Sequence, residues 1–237
     1  MAVESSRKVL IVDPDVTTRH EIRVACEQDG FQVLEAEGGA EALRQVEQTH
    51  PSLILLEMTL PDGAGFDVCR ELRKVDPTVP VIMLSSRSEE IDVVVALEIG
   101  ADDYVTKPLR LRELVARITA HLRRTRFESA EALRSRLEFR ELVIDVNERR
   151  TYKAGSEVEL THTEFDLLTF LASNAGKVLS REKILNSIWG YEYPIETRVI
   201  DVHIRNLRRK IESQPSRPYY ILAVPGIGYR FTNARPA

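Results

Sequence analysis

The sequence predicts an α/β fold in its first half, a doubly wound parallel sheet of (βα)5 order, followed by a smaller α+β module. Three observations carry that prediction. Apolar bursts alternate with helix-period stretches five times before residue 124. Beyond residue 136 the order changes to short strands, three helices and a closing hairpin. The charge balance also changes sign between the halves: 15 Lys and Arg face 22 Asp and Glu up to Thr125, a balance of −7, and 18 face 15 beyond it, +3.

The five front bursts are Val9–Val12, Phe31–Leu34, Leu53–Leu56, Val81–Leu84 and Asp103–Thr106. The helical stretches between and after them are Thr17–Asp29, Gly39–Gln48, Phe66–Lys74, Glu89–Ile99 and Arg112–Arg123. Strands joined by helices demand right-handed crossovers and a parallel sheet. The segment 125–135 reads as a linker, dividing the chain into domains 1–124 and 136–237. In the back half Leu137–Phe139, Leu142–Asp145, Arg150–Lys153 and Glu157–Leu160 read as antiparallel strands. Thr161 with Glu164 forms a capping box that opens a helix to about Ser173. Ser180 caps a second helix ending near Trp189-Gly190, and a third runs from about Glu196 to Glu212. Tyr220–Val224 and Gly228–Thr232, joined at Pro225-Gly226, form the closing hairpin.

Composition bounds the function. The chain has 237 residues, 43% hydrophobic and 30% charged, with a net charge of −4. That is a folded protein, not a disordered or collagenous one. Two cysteines, Cys26 and Cys69, support neither a disulfide framework nor a Cys-based zinc site. No apolar run reaches membrane-span length and the N-terminus carries no secretory pattern, so a cytoplasmic protein without membrane association is expected.

Four features fall at strand ends: Asp13 and Asp15 after the first, Glu57 after the third, Ser85-Ser86 after the fourth and Lys107-Pro108 after the fifth. A doubly wound sheet brings such residues to one edge. Carboxylates, a hydroxyl and an ammonium around one point are the parts of a phosphoryl site: the anions hold a divalent cation, the other two hold phosphoryl oxygens.

Residues 7–124 resemble a response-regulator receiver domain through Val9-Leu10-Ile11-Val12-Asp13, Leu53–Leu56, Leu60-Pro61-Asp62-Gly63, Val81–Ser85 and Gly100-Ala101-Asp102-Asp103-Tyr104-Val105-Thr106-Lys107-Pro108. The resemblance implies phosphoryl transfer from a histidine kinase to an Asp ending the third strand. It also implies Mg²⁺ on an acidic pair ending the first, sensing by Ser85 and Lys107, and a switch aromatic at Tyr104. Two positions depart from it. The acceptor position holds Glu57, whose carboxylate lies one methylene farther out, and in-line transfer is sensitive to such displacement. The acidic pair is Asp13 followed by Pro14, which has no side-chain ligand. Asp13, Glu57 and Lys107 sum to −1, a cluster that needs no dication, so neither a Mg²⁺ cofactor nor a cognate kinase is expected. The expectation is a degenerate receiver that works independently of phosphorylation. The alternative is a conventional switch in which Asp15 or Glu57 rescues the chemistry.

By the same resemblance receivers pair into a homodimer through the fourth helix, fifth strand and fifth helix. The matching positions here are Asp92, Asp102, Asp103, Glu113, Arg117 and Arg124, with Val93 where a basic residue is usual.

On a helical wheel, Ile200, Ile204, Leu207 and Ile211 fall within about 60° of arc and form a core stripe. Arg198, Arg205 and Arg209 lie opposite, Arg208 on the flank, and Val202 and Asn206 on the outward face. Guanidinium groups hold phosphates, an amide pairs with adenine and a valine touches a thymine methyl. Residues 136–233 resemble the winged helix-turn-helix effector of the OmpR/PhoB subfamily. The motifs are Leu160–Leu168, Val178–Glu182, Ile188-Trp189-Gly190, Arg198–Lys210 and Gly226–Phe231. The resemblance implies a recognition helix at Glu196–Glu212 and a wing at Ile221–Phe231. Backbone contacts fall to Trp189, Arg198, His203, Arg205, Arg208 and Tyr229, base contacts to Val202 and Asn206. Pro225 stands in the wing where a basic residue is common. Promoter DNA and RNA polymerase are the partners this implies. His162 and His203 read as isolated polar or phosphate-contacting residues. A remote enzyme alternative remains: Asp13-Pro14-Asp15-Val16-Thr17 fits the D-x-D-x-[TV] pattern of metal-dependent phosphohydrolases, with Asp13 as nucleophile and Asp15 as general acid.

Overall fold

The computed structural model describes residues 7–122, 136–190 and 198–233. The chain divides into two compact units, Met1–Arg123 and Arg124–Ala237.

In the first unit the elements are β1 (Lys8–Val12), α1 (Val16–Gln28), β2 (Gln32–Ala36), α2 (Gly39–Thr49), β3 (Leu53–Glu57), β4 (Thr59–Leu60), β5 (Gly63–Ala64), α3 (Gly65–Val75), β6 (Val81–Ser85), α4 (Glu90–Ile99), β7 (Asp103–Thr106) and α5 (Leu111–Leu122). The main sheet has the order β2-β1-β3-β6-β7, parallel throughout. The doubly wound (βα)5 expectation is therefore borne out. Helices cover both faces, so β3 and β6 are buried along their whole length and carry no alternation of polar residues until their ends. One face builds a core of Val9, Ile11, Leu53, Leu55, Ile82 and Leu84 against Ile22, Cys26, Leu114 and Ile118. The β4–β5 hairpin was not legible in the sequence. Its Asp62 carboxylate accepts the N–H groups of Gly39 and Ala40, both at 2.9 Å, and so caps α2 from across the loop.

In the second unit the elements are β8 (Arg136–Phe139), β9 (Leu142–Asp145), β10 (Arg150–Lys153), β11 (Ser156–Glu157), α6 (His162–Ser173), β12 (Val178–Ser180), α7 (Arg181–Ile188), α8 (Arg198–Ile211), β13 (Ile221–Val224) and β14 (Gly228–Phe231). An antiparallel sheet β11-β10-β9-β8 precedes the helices, and a second sheet β12-β14-β13 closes the unit. The fourth strand is shorter than expected, because after Val158 the chain turns into the Thr161 cap. That capping box forms: Thr161 Oγ1 accepts the Glu164 N–H, and Glu164 Oε2 accepts the Thr161 N–H at 2.9 Å. Lys210 from α8 then reaches the same Glu164 oxygen at 2.6 Å, tying α8 to α6. The wing also gains a third strand, β12, paired with β14 through Leu179 opposite Tyr229. Among the described residues no helix is long and apolar enough to cross a membrane.

Candidate functional site

Asp13, Glu57, Ser85 and Lys107 meet at the carboxyl edge of the parallel sheet. Asp13 is fully buried and Glu57 is 6% exposed. Lys107 Nζ lies 2.7 Å from Asp13 Oδ2 and 2.5 Å from Glu57 Oε2, bridging the two carboxylates. Their remaining oxygens accept backbone N–H groups, Asp13 Oδ1 from Asp15 at 2.9 Å and Glu57 Oε1 from Thr59 at 3.1 Å. Burial works against the Lys107 ammonium, but the contacts with Asp13 and Glu57 and the negative charge of both carboxylates together outweigh it and hold the lysine above its ordinary pKa. The Glu57 backbone is equally confined: a Cβ on Gly65 would come within 2.3 Å of the Glu57 carbonyl oxygen, so α3 can start here only with glycine.

Three of the four carboxylate oxygens accept hydrogen bonds, the fourth, Glu57 Oε2, meets Lys107 as an ion pair, and Lys107 stands where a cation would balance their charge. Pro14 contributes only its carbonyl, which accepts from Arg19 at 3.2 Å. Asp15 does not face this cluster as a ligand. It is the N-cap of α1, accepting from the N–H groups of Thr17 and Thr18 and from the Thr18 hydroxyl at 2.6 Å. Those bonds, the Thr18 hydroxyl first, lower its pKa. Lys107 stands between the two carboxylates, and among the described residues no group of three or more carboxylate, imidazole or thiol side chains gathers as a metal site. The same capping removes Asp15 from the role of general acid.

Ser85 is engaged away from Glu57. Its Oγ accepts the Arg87 N–H at 3.0 Å and lies 3.8 Å from Met58 Sδ. Tyr104 is turned inward, 8% exposed, with its hydroxyl donating to the Arg87 carbonyl at 2.8 Å. Burial raises the pKa of that hydroxyl. The loop after β6 is therefore held from both sides, by Ser85 and by Tyr104.

On the effector unit, Arg205 and Arg209 are exposed on α8 and Arg208 is half-buried. Arg208 donates through its Nε and NH2 atoms to the Ile221 carbonyl at 3.1 and 2.7 Å, so part of its hydrogen-bonding capacity serves the wing. Val202 and Asn206 correct the wheel: they are 8% and 6% exposed, not outward-facing. The reason is that α8 is covered over a wider arc than its four apolar positions define. Val199, Val202, His203 and Asn206 extend the buried side, and the Trp189 ring lies 5.5 Å from that of His203. Trp189 and His203, each 1% exposed, are likewise packed rather than presented. Tyr229 is also buried, and its hydroxyl donates to Asp201 Oδ1 at 2.8 Å. Desolvation and that bond push its pKa up to about 12. Arg198 opens α8, its side chain lying outside the described residues, as do Arg124 and the linker. His162 is not isolated either: with Arg149 it pairs with the buried Asp166.

Comparison with known proteins agrees with both halves of this reading. Residues 9–119 match the family described as response regulator receiver domain, and residues 155–231 match that described as transcriptional regulatory protein, C terminal. The DNA-binding response regulator MtrA of Mycolicibacterium smegmatis is 40% identical over 224 residues, 94% of this chain and 96% of its own. A probable transcriptional regulator, ycf27 of Cyanophora paradoxa, is 41% identical, covering 97% and 98%. Among solved structures, a cysteine-to-aspartate mutant of RitR has a TM-score of 0.77 at 30% identity over 96% of this chain and 99% of its own. DrrB of Thermotoga maritima, an OmpR/PhoB homologue, has a TM-score of 0.52 at 33% identity, covering 96% and 100%.

The chain belongs to the OmpR/PhoB family of response regulators. It is a DNA-binding transcriptional regulator and not an enzyme.

Within this OmpR/PhoB chain the charges expected on a dimer face are largely paired inside the receiver unit. Asp102 is fully buried and turned toward α3, pairing with Arg73 at 2.8 Å and accepting the Val81 N–H at 2.9 Å. Asp103 and Arg117 are 1% and 4% exposed and joined at 3.1 Å, with Glu113 completing the network on Arg117 at 2.5 Å. Asp92 pairs loosely with Arg87 at 3.7 Å, and Val93, Val94 and Val95 are all half-buried. Sequence position does not reveal which way such a side chain turns; the aspartates flank the same strand and diverge. Cys26 and Cys69 are buried and free, and desolvation pushes their thiols up to about 12 and about 11.

Sequence reasoning missed two groups. Arg19 is 5% exposed and donates to the Asp13 and Pro14 carbonyls and to Glu35 and Glu37, fixing the loop that carries Asp13. Glu212 accepts the N–H groups of Tyr219, Tyr220 and Ile221 at 2.8, 2.8 and 2.9 Å, fastening the end of α8 to β13. A helical period of charged residues gives no sign of either; each needed its acceptors or donors brought from a distant segment.

Proposed function

We propose that this regulator acts on promoter DNA without phosphorylation of its receiver, the Asp13–Lys107–Glu57 triad replacing the phosphoryl-controlled switch. The observation that carries this reading is Lys107 bridging both carboxylates at 2.7 and 2.5 Å. Glu57 supplies a negative charge beside the lysine that would otherwise meet a phosphoryl oxygen. Pro14 removes one metal ligand and Asp15 is committed to its helix. The inward Tyr104 supports a receiver resting in its switched arrangement. The reading includes a homodimer on two half-sites, with RNA polymerase as the downstream partner and no cognate histidine kinase required.

The test is intact mass after incubation with a small phosphodonor and Mg²⁺, paired with DNA affinity before and after. No phosphoryl adduct and unchanged affinity are expected. A stoichiometric adduct that raises DNA affinity, and is lost on Glu57→Ala or Asp15→Ala, would overturn the proposal in favour of a conventional switch.

A further inference from the structure

The wing tip of this chain is apolar. Residues 222–227, Leu-Ala-Val-Pro-Gly-Ile, carry no charge in a protein that is 30% charged. Ala223, Pro225, Gly226 and Ile227 are exposed, Ile227 at 53%. The tip is also preset. Pro225 and Gly226, the latter at φ +73°, form a turn closed by the Ile227 N–H donating to the Val224 carbonyl at 3.0 Å. Just beyond it, a Cβ on Gly228 would come within 2.1 Å of the Leu179 carbonyl oxygen, so β14 is pressed against β12.

This tip is continuous with the basic helix. The Ile227 carbonyl accepts the Arg181 N–H at 3.3 Å. The Arg181 guanidinium then pairs with Asp201 in the first turn of α8 at 2.9 Å, and the Tyr229 hydroxyl of the wing donates to the same Asp201 oxygen at 2.8 Å. One carboxylate thus joins α7, α8 and the wing. A helix docks in the major groove, which is wide enough for it, and the element fixed beside that helix meets the flanking minor groove. Residues 222–227 offer no cation to the phosphates there; the exposed basic residue of the wing, Arg230, lies beyond the tip on β14. A rigid branched side chain can instead enter between base steps, as apolar wedges do.

We propose that Ile227 is a minor-groove wedge, so that the wing tip binds duplex DNA by apolar insertion and bending rather than by charge. The inference rests on the DNA-binding reading of α8. Its partner is duplex DNA with a deformable step flanking the helix site.

The experiment uses the full chain and a duplex enriched from a random pool by that chain, with binding followed as a function of salt and bending by circular permutation. 2-Aminopurine is scanned along the duplex. Ile227→Ala is expected to weaken binding roughly tenfold, from the lost apolar contact. The slope of log affinity against log salt stays unchanged. The bend falls, and a 2-aminopurine signal present with the parent chain disappears. Unchanged affinity and bend, or a loss accompanied by a flatter salt slope, would overturn the wedge. So would an effect confined to self-association or polymerase binding. Arg205→Ala in parallel separates the two readings: it is expected to flatten the slope by about 0.9. If Arg205→Ala changes nothing on any duplex, the fault lies with the DNA reading of α8 and the wedge falls with it.

Discussion

Replacing Lys107 by methionine removes the cation that Asp13 and Glu57 share and leaves these side chains with a charge of −2 where the three together have −1. The side chain of Lys107 is 23% exposed and those of its partners 1% and 8%, so solvent screens this cluster poorly. At an effective dielectric of about 20, each contact is worth roughly 6 kcal/mol before desolvation is counted. Desolvation offsets most of that, and breaking a buried pair from one side costs about 3–5 kcal/mol net. For a unit of this size that lowers the receiver's melting temperature by about 10–20 °C. The assay is calorimetry of the full chain, following the receiver transition and using the effector transition as an internal control. Adding Glu57→Gln should recover part of the loss, because it removes the stranded negative charge; a coupling of about 0.5–3 kcal/mol is expected for groups in contact. Millimolar Mg²⁺ should leave the parent chain's transition in place and raise that of Lys107→Met, which offers two bare carboxylates. A drop in melting temperature of only a few degrees, with strict additivity in the double variant, would refute the reasoning and reduce the triad to an ordinary surface pair.

Three other outcomes follow from the geometry. Arg117→Ala takes the guanidinium away from the buried Asp103 and should cost about 3–5 kcal/mol of receiver stability even at concentrations where the chain is monomeric, measured by denaturant unfolding. A loss seen only when dimers form would instead return Arg117 to the subunit interface. Tyr229→Phe removes the hydroxyl donated to Asp201 and should cost about 1 kcal/mol in the effector unit. A raised phenol pKa stabilises the fold below its unfolded value of 10.0 and loses that contribution as pH rises through about 12. The parent effector should therefore weaken across that alkaline window in a thermal scan, and the phenylalanine variant should lack the Tyr229 share of the decline. Asp15→Asn keeps an N-cap but not the charge. Because the native carboxyl is lowered below 3.8, the parent chain loses its contribution as pH falls through the native value, whereas the asparagine variant should show no such Asp15 term in acid unfolding.

Much of this protein is legible from its sequence because the signals are local. The apolar bursts mark all five parallel strands within about two residues, since strands covered on both faces must be apolar throughout. Thr161 with Glu164 and Ser180 announce their helices, because a cap needs only backbone groups two or three residues away. The strand-end positions of Asp13, Glu57, Ser85 and Lys107 follow from the sheet's topology, as does their convergence.

Tertiary structure alone decided which partners those side chains take. Lys107 meets Asp13 across 94 residues, and no periodicity encodes that pairing. Asp102 and Asp103 are neighbours in sequence, yet one turns to Arg73 and the other to Arg117, because consecutive residues at the start of a strand point to opposite faces of the sheet. The wheel located the core stripe of α8 correctly but could not show how far around the helix its neighbours reach. Val202 and Asn206 are consequently buried where an isolated helix would present them. Sequence sets what each residue is able to do; packing and desolvation decide which partner it does it with.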